Sequence, residues 1–252
     1  MKKLVALLLL FSSPVYALSD CTDKPTCEEI GYTHNEYACD QKIAMPCPFD
    51  SSKIYCPGPI CETGYFLYSD GSCSLALKSD KTVIGIVFDK EWRLAVSVEP
   101  SVSLRWAEGD AATTLIPELG WDGYGYEIVC RSYCNGRENT KAIIDFAVAN
   151  GYSYPAAEYC YNLSALGKGK GSWWLPSDPE WHKIKHGLEA INVSLAKLDK
   201  GELVKARSYW SSHQRPPEFA GNSSSAYCNP NGGGCSGWSK AASLHVICIT
   251  RY

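Results

Sequence analysis

The sequence predicts an α+β protein in which two helices pack on a small, mostly antiparallel sheet with long loops, preceded by a disulfide-rich module. Three observations support this fold class. Thirteen cysteines occur in the 252 residues. Short apolar runs bounded by turn residues are typical of strands, and an apolar stripe with helical spacing follows Ser177.

The first residues have the pattern of a secretory signal peptide over 1–17. Lys2 and Lys3 precede an apolar run over 4–11, and Ala17 ends a small-residue cleavage site. The run is too short to span a bilayer, and no later run is long or apolar enough. We therefore expect cleavage after Ala17 and a secreted, periplasmic or cell-surface protein. Lipidation at Cys21 is an alternative, although Asp20 stands where a lipobox has a small residue.

The cysteines divide the mature chain into two predicted modules. Seven lie between Cys21 and Cys73, and six lie between Cys130 and Cys248. Export favours disulfides over free thiolates, and the first group lacks the Cys-x-x-Cys pair of a zinc knuckle. We therefore predict a disulfide-rich module over 18–78 and an α+β domain over 79–252. Spacing leaves the connectivity within 21–73 open, including the partner of the odd cysteine.

Charge is unevenly distributed along the chain. The full sequence has a formal net charge of −3, and removing Lys2 and Lys3 leaves −5. Residues 168–252 hold 11 Lys and Arg against 6 Asp and Glu, a net of +5. This asymmetry predicts either two solvated faces of opposite sign or a locally basic surface that meets an acidic glycan.

The first predicted strands lie on both sides of the module boundary. Residues 64–68 lead into the turn Asp70-Gly71, and Cys73 is placed to pin the far side of that hairpin. Two more strands are predicted over 83–88 and 93–98, with a charged turn between them. The loop-rich segment that follows contains Cys130 and Cys134. These two cysteines are candidates to bond each other or to clamp the loop to the body.

Two helical segments come next. Asn139 or Thr140 can cap a helix that ends at Asn150-Gly151. Its expected inward residues are Ile143, Ile144, Ala147 and Val148. Pro155 begins a second helical turn, whose small residues Ala156 and Ala157 predict close packing around Cys160. The run Gly-Lys-Gly-Lys-Gly over 167–171 lacks the ending of a phosphate loop, so nucleotide binding is not predicted.

The tryptophan-rich segment 173–175 predicts a short buried strand, because the following Pro176 pushes Leu175 into the extended region. Ser177 and Glu180 form a capping box at the start of the longest predicted helix. Its apolar stripe consists of Trp181, Ile184, Leu188, Ile191, Leu195 and Leu198. The remaining predicted elements are a strand over 209–212, a polar loop region over 213–243 with a short strand at 226–228, and a central, buried closing strand over 244–250.

The order Gly-x-Trp-x-Leu-Pro-Ser, amphipathic helix, Tyr-Trp-Ser-Ser, polar loop and closing strand resembles the C-terminal domain family of the Legionella collagen-like protein. The resemblance covers about 135–252. It implies a C-type-lectin-like architecture and a secreted or surface-attached binding and adhesion module. By analogy with lectin-like folds, Cys160 is expected to pair with Cys248, and Cys228 with Cys235.

The polar loop region supplies the candidate ligand-binding residues. Aromatic rings and amide or guanidinium donors suit sugars and protein surfaces. The candidates are His213, Arg215, Asn222, Tyr227, Asn229, Asn231, Trp238 and Lys240. The competing interpretation places Trp210 and Trp238 in the core and makes the asparagines turn residues. The expected partner is a glycan, with an acidic glycan favoured by the basic last third, or a cell-surface protein, and not a nucleic acid.

Metal and catalytic chemistry are not predicted. The loop region contains a single acid, Glu218, too few for a calcium site. His182 and His186 have metal-ligand spacing, but Lys183 stands where a metalloprotease has its glutamate. Cys235 has an expected disulfide partner, and the adjacency of Ser212 and His213 is not a catalytic geometry. No cofactor is expected.

The sequence therefore predicts a secreted or surface-associated bacterial binding or adhesion protein that recognises a glycan or protein through the 211–243 loops, without catalysis. The first alternative is a structural component of the envelope or of a pilus. The second is a hydrolase built on a lectin-like fold.

Overall fold

The computed structural model describes the backbone of 45–47 and 50–55, and residues 61–117, 119, 135–164, 168–200, 203, 207–215, 223–230 and 235–252. The chain forms two compact units, Met1–Pro59 and Ile60–Tyr252. Several predictions lie outside the described residues: the signal peptide, most of the N-terminal cysteines, Cys130, Cys134, Asn222 and Asn231. In the first unit, strands β1 (Met45–Cys47) and β2 (Asp50–Tyr55) form an antiparallel pair.

The second unit is α+β, as predicted, but its described residues form two five-stranded sheets, whereas one small sheet is predicted. The first sheet is antiparallel throughout. Its strands, in spatial order, are β12 (Ile249–Arg251), β6 (Leu94–Ser97), β5 (Val83–Asp89), β3 (Phe66–Tyr68) and β4 (Cys73–Ser74). A disulfide joins Cys61 to Cys73 beside this hairpin. Residues 61–74 therefore belong to the second unit, whereas the sequence analysis places the module boundary near 78.

The second sheet contains one parallel pair, β11 with β8. Its strands, in spatial order, are β10 (Cys235–Ser239), β9 (Ser224–Cys228), β8 (Tyr209–Gln214), β11 (Ser243–Val246) and β7 (Val102–Arg105). The prediction of one closing strand over 244–250 is wrong. The chain leaves the second sheet after Val246, passes through Ile247 and Cys248, and enters the edge of the first sheet at Ile249.

Three α-helices and one 3-10 helix (Gly109–Thr113) lie in the described part of the second unit, and the first α-helix is α1 (Gly136–Asn150). Asn135 caps it by accepting a hydrogen bond from the Arg137 amide at 3.0 Å, and Gly151 ends it with φ 68°. The predicted caps Asn139 and Thr140 are wrong because both lie inside the helix, where they serve tertiary contacts. Asn139 donates to Ser212 Oγ at 3.1 Å, and Thr140 Oγ1 accepts from the Leu175 amide at 3.0 Å.

The inward face of α1 is narrower than predicted. Ile143 and Ala147 are buried, but Val148 is 81% exposed. The short helix α2 (Pro155–Asn162) packs beside α1 through Ala156 and Ala157. Its Cys160 is bonded to Cys248, the pairing that the resemblance implies. This bridge ties α2 to the segment that links the two sheets.

The long helix α3 (Asp178–Lys197) has the predicted capping box of Ser177 and Glu180. Its apolar stripe packs on one face of the first sheet, where it shares a core with Phe66, Ile86 and Phe88 of that sheet. The opposite face of that sheet packs against α1, α2 and Trp106, so the first sheet lies between two apolar cores. No helix in the described ranges is long and apolar enough to cross a membrane.

The tryptophan-rich segment joins the two cores. Trp173 and Leu175 belong to the core that contains α1, whereas Trp174 belongs to the core that contains α3. Trp174 also pairs with Ile249 through two backbone hydrogen bonds of 3.0 Å. Alternating side chains of this extended segment therefore fill both cores. The segment ends at the start of α3, and the Gly136 amide at the start of α1 lies within hydrogen-bond distance of Glu180 in α3.

Candidate functional site

A single buried carboxylate connects the beginnings of α1 and α3. Glu180 Oε2 accepts hydrogen bonds from the Ser177 amide at 2.7 Å and from the Gly136 amide at 3.2 Å, and Oε1 accepts from the Trp174 indole at 3.2 Å. Burial raises the pKa of the Glu180 carboxyl, while the hydrogen bonds from Ser177, Trp174 and Gly136 act in the opposite direction. An internal acid thus occupies the position at the start of α1 that the helix dipole favours for an anion.

A cavity of about 540 Å³ opens beside this junction. Its walls include the aromatic residues Tyr161, Trp173 and Trp174. Its charged lining residues come from three separate parts of the chain: Arg137, Glu138 and Lys141 from α1, Lys170 from the glycine-lysine run, and Arg251 from β12. We call this space the cationic cavity, because four of its five charged lining residues are basic.

The basic side chains of the cationic cavity are mostly unneutralised. Lys141 forms an ion pair with Asp145. Among the described residues, no ion pair involves Arg137, Lys170 or Arg251, and all three are exposed. Lys168 lies close by and donates to the Arg251 carbonyl at 2.8 Å. Burial lowers the pKa of Lys168, and the charges of Arg137 and Arg93 lower it further, so like charges gather at this place.

The predicted ligand-binding region has its aromatic residues on strands β9 and β10. Tyr227 pairs with Ser236 and Trp238 pairs with Ser225, so both rings lie on the same face of these strands. The rings are 6.1 Å apart in an edge-to-face arrangement, and Trp238 is 53% exposed. We call Tyr227 and Trp238 the aromatic pair. The disulfide between Cys228 and Cys235, the other pairing implied by the resemblance, fixes one end of these strands.

Arg215 lies away from the aromatic pair. Its Nη2 donates to the Cys235 carbonyl at 3.0 Å. A Cβ added to Gly237 would lie 3.2 Å from Arg215 Cγ. Because Gly237 and Trp238 are neighbours on a strand, their side-chain directions point to opposite faces. Arg215 therefore packs on the face opposite to Trp238.

His213 and Lys240, two further predicted ligand-binding residues, are buried. His213 Nδ1 lies 3.3 Å from Asp178 Oδ1. Burial raises the pKa of the Asp178 carboxyl, but the His213 charge and hydrogen bonds from His213 and Ser211 outweigh burial and lower it overall. These contacts give His213 a structural role between α3 and β8.

Lys240 is fully buried and lies over the Trp106 ring at 5.1 Å. Its Nζ donates to the Thr114 carbonyl at 2.7 Å and to Gln214 Oε1 at 3.3 Å. Burial lowers the pKa of Lys240 to about 8. The sequence analysis names Lys240 as a ligand-binding candidate of the polar loop region, whereas in the structure its side chain is buried beside Trp106.

Asn229, the remaining ligand-binding candidate within the described residues, lies at a shallow depression. Asn229 borders it together with His182, Lys185 and the Cys228–Cys235 bridge, but its volume of about 10 Å³ holds no more than one water molecule. His182 is half-buried and His186 is exposed. In the described part of the chain, Asp178, Cys228 and Cys235 have the spacing of metal ligands, but the two cysteines are bonded to each other.

Sequence analysis does not identify the cationic cavity. One signal was available in α1: Arg137 is a cation in the first helical turn, where the helix dipole is unfavourable to positive charge. Lys168 and Lys170 are the two cations of the glycine-lysine run over 167–171, which does not have the ending of a phosphate loop. Arg251 has no local pattern that connects it to either group.

Comparisons with known proteins identify a similar fold. No family model matches the chain, and no curated protein matches it. The crystal structure of a fimbrial protein from Bacteroides ovatus is similar, with a TM-score of 0.57 and 15% sequence identity. The match covers 76% of this chain and 49% of the fimbrial chain, so this chain spans about half the length of that protein. At this identity the likeness is one of fold.

Proposed function

We propose that this chain is a secreted or surface-associated bacterial binding or adhesion protein, with a C-type-lectin-like second unit that recognises a glycan or a protein without catalysis. The observation that supports it is the aromatic pair. A tryptophan that is 53% exposed stands on a disulfide-linked pair of strands beside a tyrosine. Rigid, exposed rings stack on sugar faces and anchor protein interfaces at little conformational cost.

Export is part of the proposal. The three disulfides of the described residues join Cys61 to Cys73, Cys160 to Cys248, and Cys228 to Cys235. Disulfides of this density are typical of proteins in an oxidising compartment. They agree with the N-terminal pattern of a signal peptide.

A structural role in a pilus or in the envelope is the second candidate function. The fold similarity to a fimbrial protein favours it. In that case the aromatic pair would contact a neighbouring subunit, and the purified chain would bind no glycan. Recovery of the chain in a large surface assembly would support this candidate.

The proposal is tested with oxidatively folded 18–252 on a glycan array, with and without a chelator. Trp238→Ala should weaken binding about tenfold or more, because exposed aromatic anchors dominate such contacts. Val193→Ala is the matched control, since Val193 is 54% exposed on α3. Circular dichroism should show both variants folded. A blank array would exclude the glycan, and equal binding by wild type and Trp238→Ala would exclude the aromatic pair.

A further inference from the structure

The geometry points to a second binding site, the cationic cavity, which accepts an acidic sugar with its carboxylate at Arg137, Lys170 and Arg251. This site shares no residue with the aromatic pair, so it stands whether or not the aromatic pair binds a ligand. Its volume of about 540 Å³ lies within the range of roughly 300–1,000 Å³ that is typical of small-molecule sites.

The distribution of charge is the first argument. Arg137 lies in the first turn of α1, where a positive charge opposes the helix dipole. No ion pair among the described residues neutralises Arg137, Lys170 or Arg251. Folding therefore brings these three like charges to one concave surface, where Glu138 is the single acidic lining residue. A bound carboxylate would offset this repulsion, which is the arrangement expected where function takes precedence over stability.

The other lining groups indicate a sugar and not a bare anion. Tyr161 lines the same cavity as the cations and is half-buried, whereas Trp173 and Trp174 belong to the two cores and are 0% and 3% exposed. The Tyr161 ring suits the apolar face of a sugar. Glu138 also lines it. A carboxylate in that place repels a small anion but accepts hydrogen bonds from hydroxyl groups. An acidic sugar carries one carboxylate and several hydroxyl groups on one ring, and these groups match the cations, the carboxylate and the aromatic ring that line the cavity.

The binding test uses oxidatively folded 18–252 and three matched pairs of sugars: galacturonate with galactose, glucuronate with glucose, and mannuronate with mannose. Isothermal titration should show at least one hexuronate binding about tenfold or more tighter than its neutral partner, as charge-assisted hydrogen bonds predict. The double variant Arg137→Gln/Lys170→Gln should lose this preference. The double variant Lys78→Gln/Lys200→Gln removes the same charge from exposed lysines outside the cavity and should keep it.

Further arms separate the alternatives. Acetate that binds as tightly as the best hexuronate would reduce the site to a general anion site and overturn the sugar assignment. An acidic peptide that binds more tightly than every hexuronate would overturn it in favour of a protein ligand. Equal binding of hexuronates and neutral sugars, or no binding by any of the six, would overturn the proposal altogether.

Thermal unfolding supplies a readout that a structural role for Arg137 would not give. Without ligand, Arg137→Gln should raise Tm by about 1–3 °C, because it removes a charge that opposes the helix dipole. If Arg137 instead serves stability, the same substitution lowers Tm. The variant should also lose the rise in Tm that a binding hexuronate gives to the wild type.

Discussion

Gly136→Ala tests whether the close contact between α1 and the start of α3 limits the stability of the second unit. A Cβ at this position would lie 2.5 Å from the Leu175 carbonyl oxygen and 2.8 Å from the Ser177 amide nitrogen, and still closer to Glu180 Oε2. Two of these three atoms belong to the backbone of the segment that joins the two cores. Rotation of a side chain therefore cannot relieve the contact, and α1 must move.

The magnitude follows from two losses and one gain. Overpacking costs about 1–3 kcal/mol, and separating the Gly136 amide from the Glu180 carboxylate costs about 1.5–3 kcal/mol. The lower backbone entropy of unfolded alanine returns about 0.4–1 kcal/mol. We expect a net loss of about 3 kcal/mol, or a Tm lower by roughly 6–12 °C for a unit of this size.

Urea unfolding followed by tryptophan fluorescence measures this loss. Gly169→Ala is the matched control, because a Cβ at Gly169 would have no atom within 4 Å. The control should be neutral or slightly stabilising. If Gly136→Ala unfolds within about 0.5 kcal/mol of the wild type, the ordinary scatter of surface substitutions, the contact does not limit stability and the reasoning fails.

Two further predictions concern the disulfides and the buried lysine. Replacing Cys160 and Cys248 by alanine should lower the unfolding free energy by about 4–5 kcal/mol, and replacing Cys228 and Cys235 should lower it by about 2–3 kcal/mol. The difference arises because the two bridges span sequence separations of 88 and 7 residues. Equal losses of unfolding free energy in urea would contradict this account, in which a longer closed loop restricts the unfolded chain more. Folding lowers the pKa of Lys240 from 10.5 to about 8, so its buried charge opposes folding fully below about pH 8, and that penalty disappears as the pH rises towards 10.5. Wild-type stability relative to Lys240→Met should therefore increase across this interval in urea titrations, and a constant difference would show that Lys240 does not titrate in this way.

Local signals were sufficient to predict α3 and three strands of the first sheet, β3, β5 and β6. Ser177 and Glu180 mark the start of α3, and the apolar stripe that begins at Trp181 fixes its buried face. Strands β5 and β6 are bounded by charged turn residues, so their limits follow from the chain itself. In each case the information lies within a few residues of the element that it specifies.

Tertiary contacts decided the features that the sequence does not predict. Three residues are suitable helix caps by type: Asn135, Asn139 and Thr140. The cap is Asn135, and Thr140 instead accepts a hydrogen bond from the Leu175 amide, 35 residues away. The run 244–250 contains no glycine, proline, asparagine or aspartate, so no turn residue marks the passage between sheets. The burial of Lys240 depends on distant Thr114.

The candidate sites show the same division. Tyr227 and Trp238 were predicted as binding residues, and the register of β9 and β10 brings them to one face. The cationic cavity combines Arg137, Lys170 and Arg251, whose positions along the chain share no spacing pattern. Only the folded chain places them together.

The passage of residues 243–251 from one sheet to the other has a consequence for how this unit assembles and comes apart. β11 is an interior strand of the second sheet and β12 is an edge strand of the first, so neither sheet is complete until the same short segment is in place. β12 pairs with β6, more than 150 positions earlier in the chain. Such distant pairings slow folding. Because both sheets depend on this one segment, we expect hydrogen exchange to show a single opening event that both sheets share.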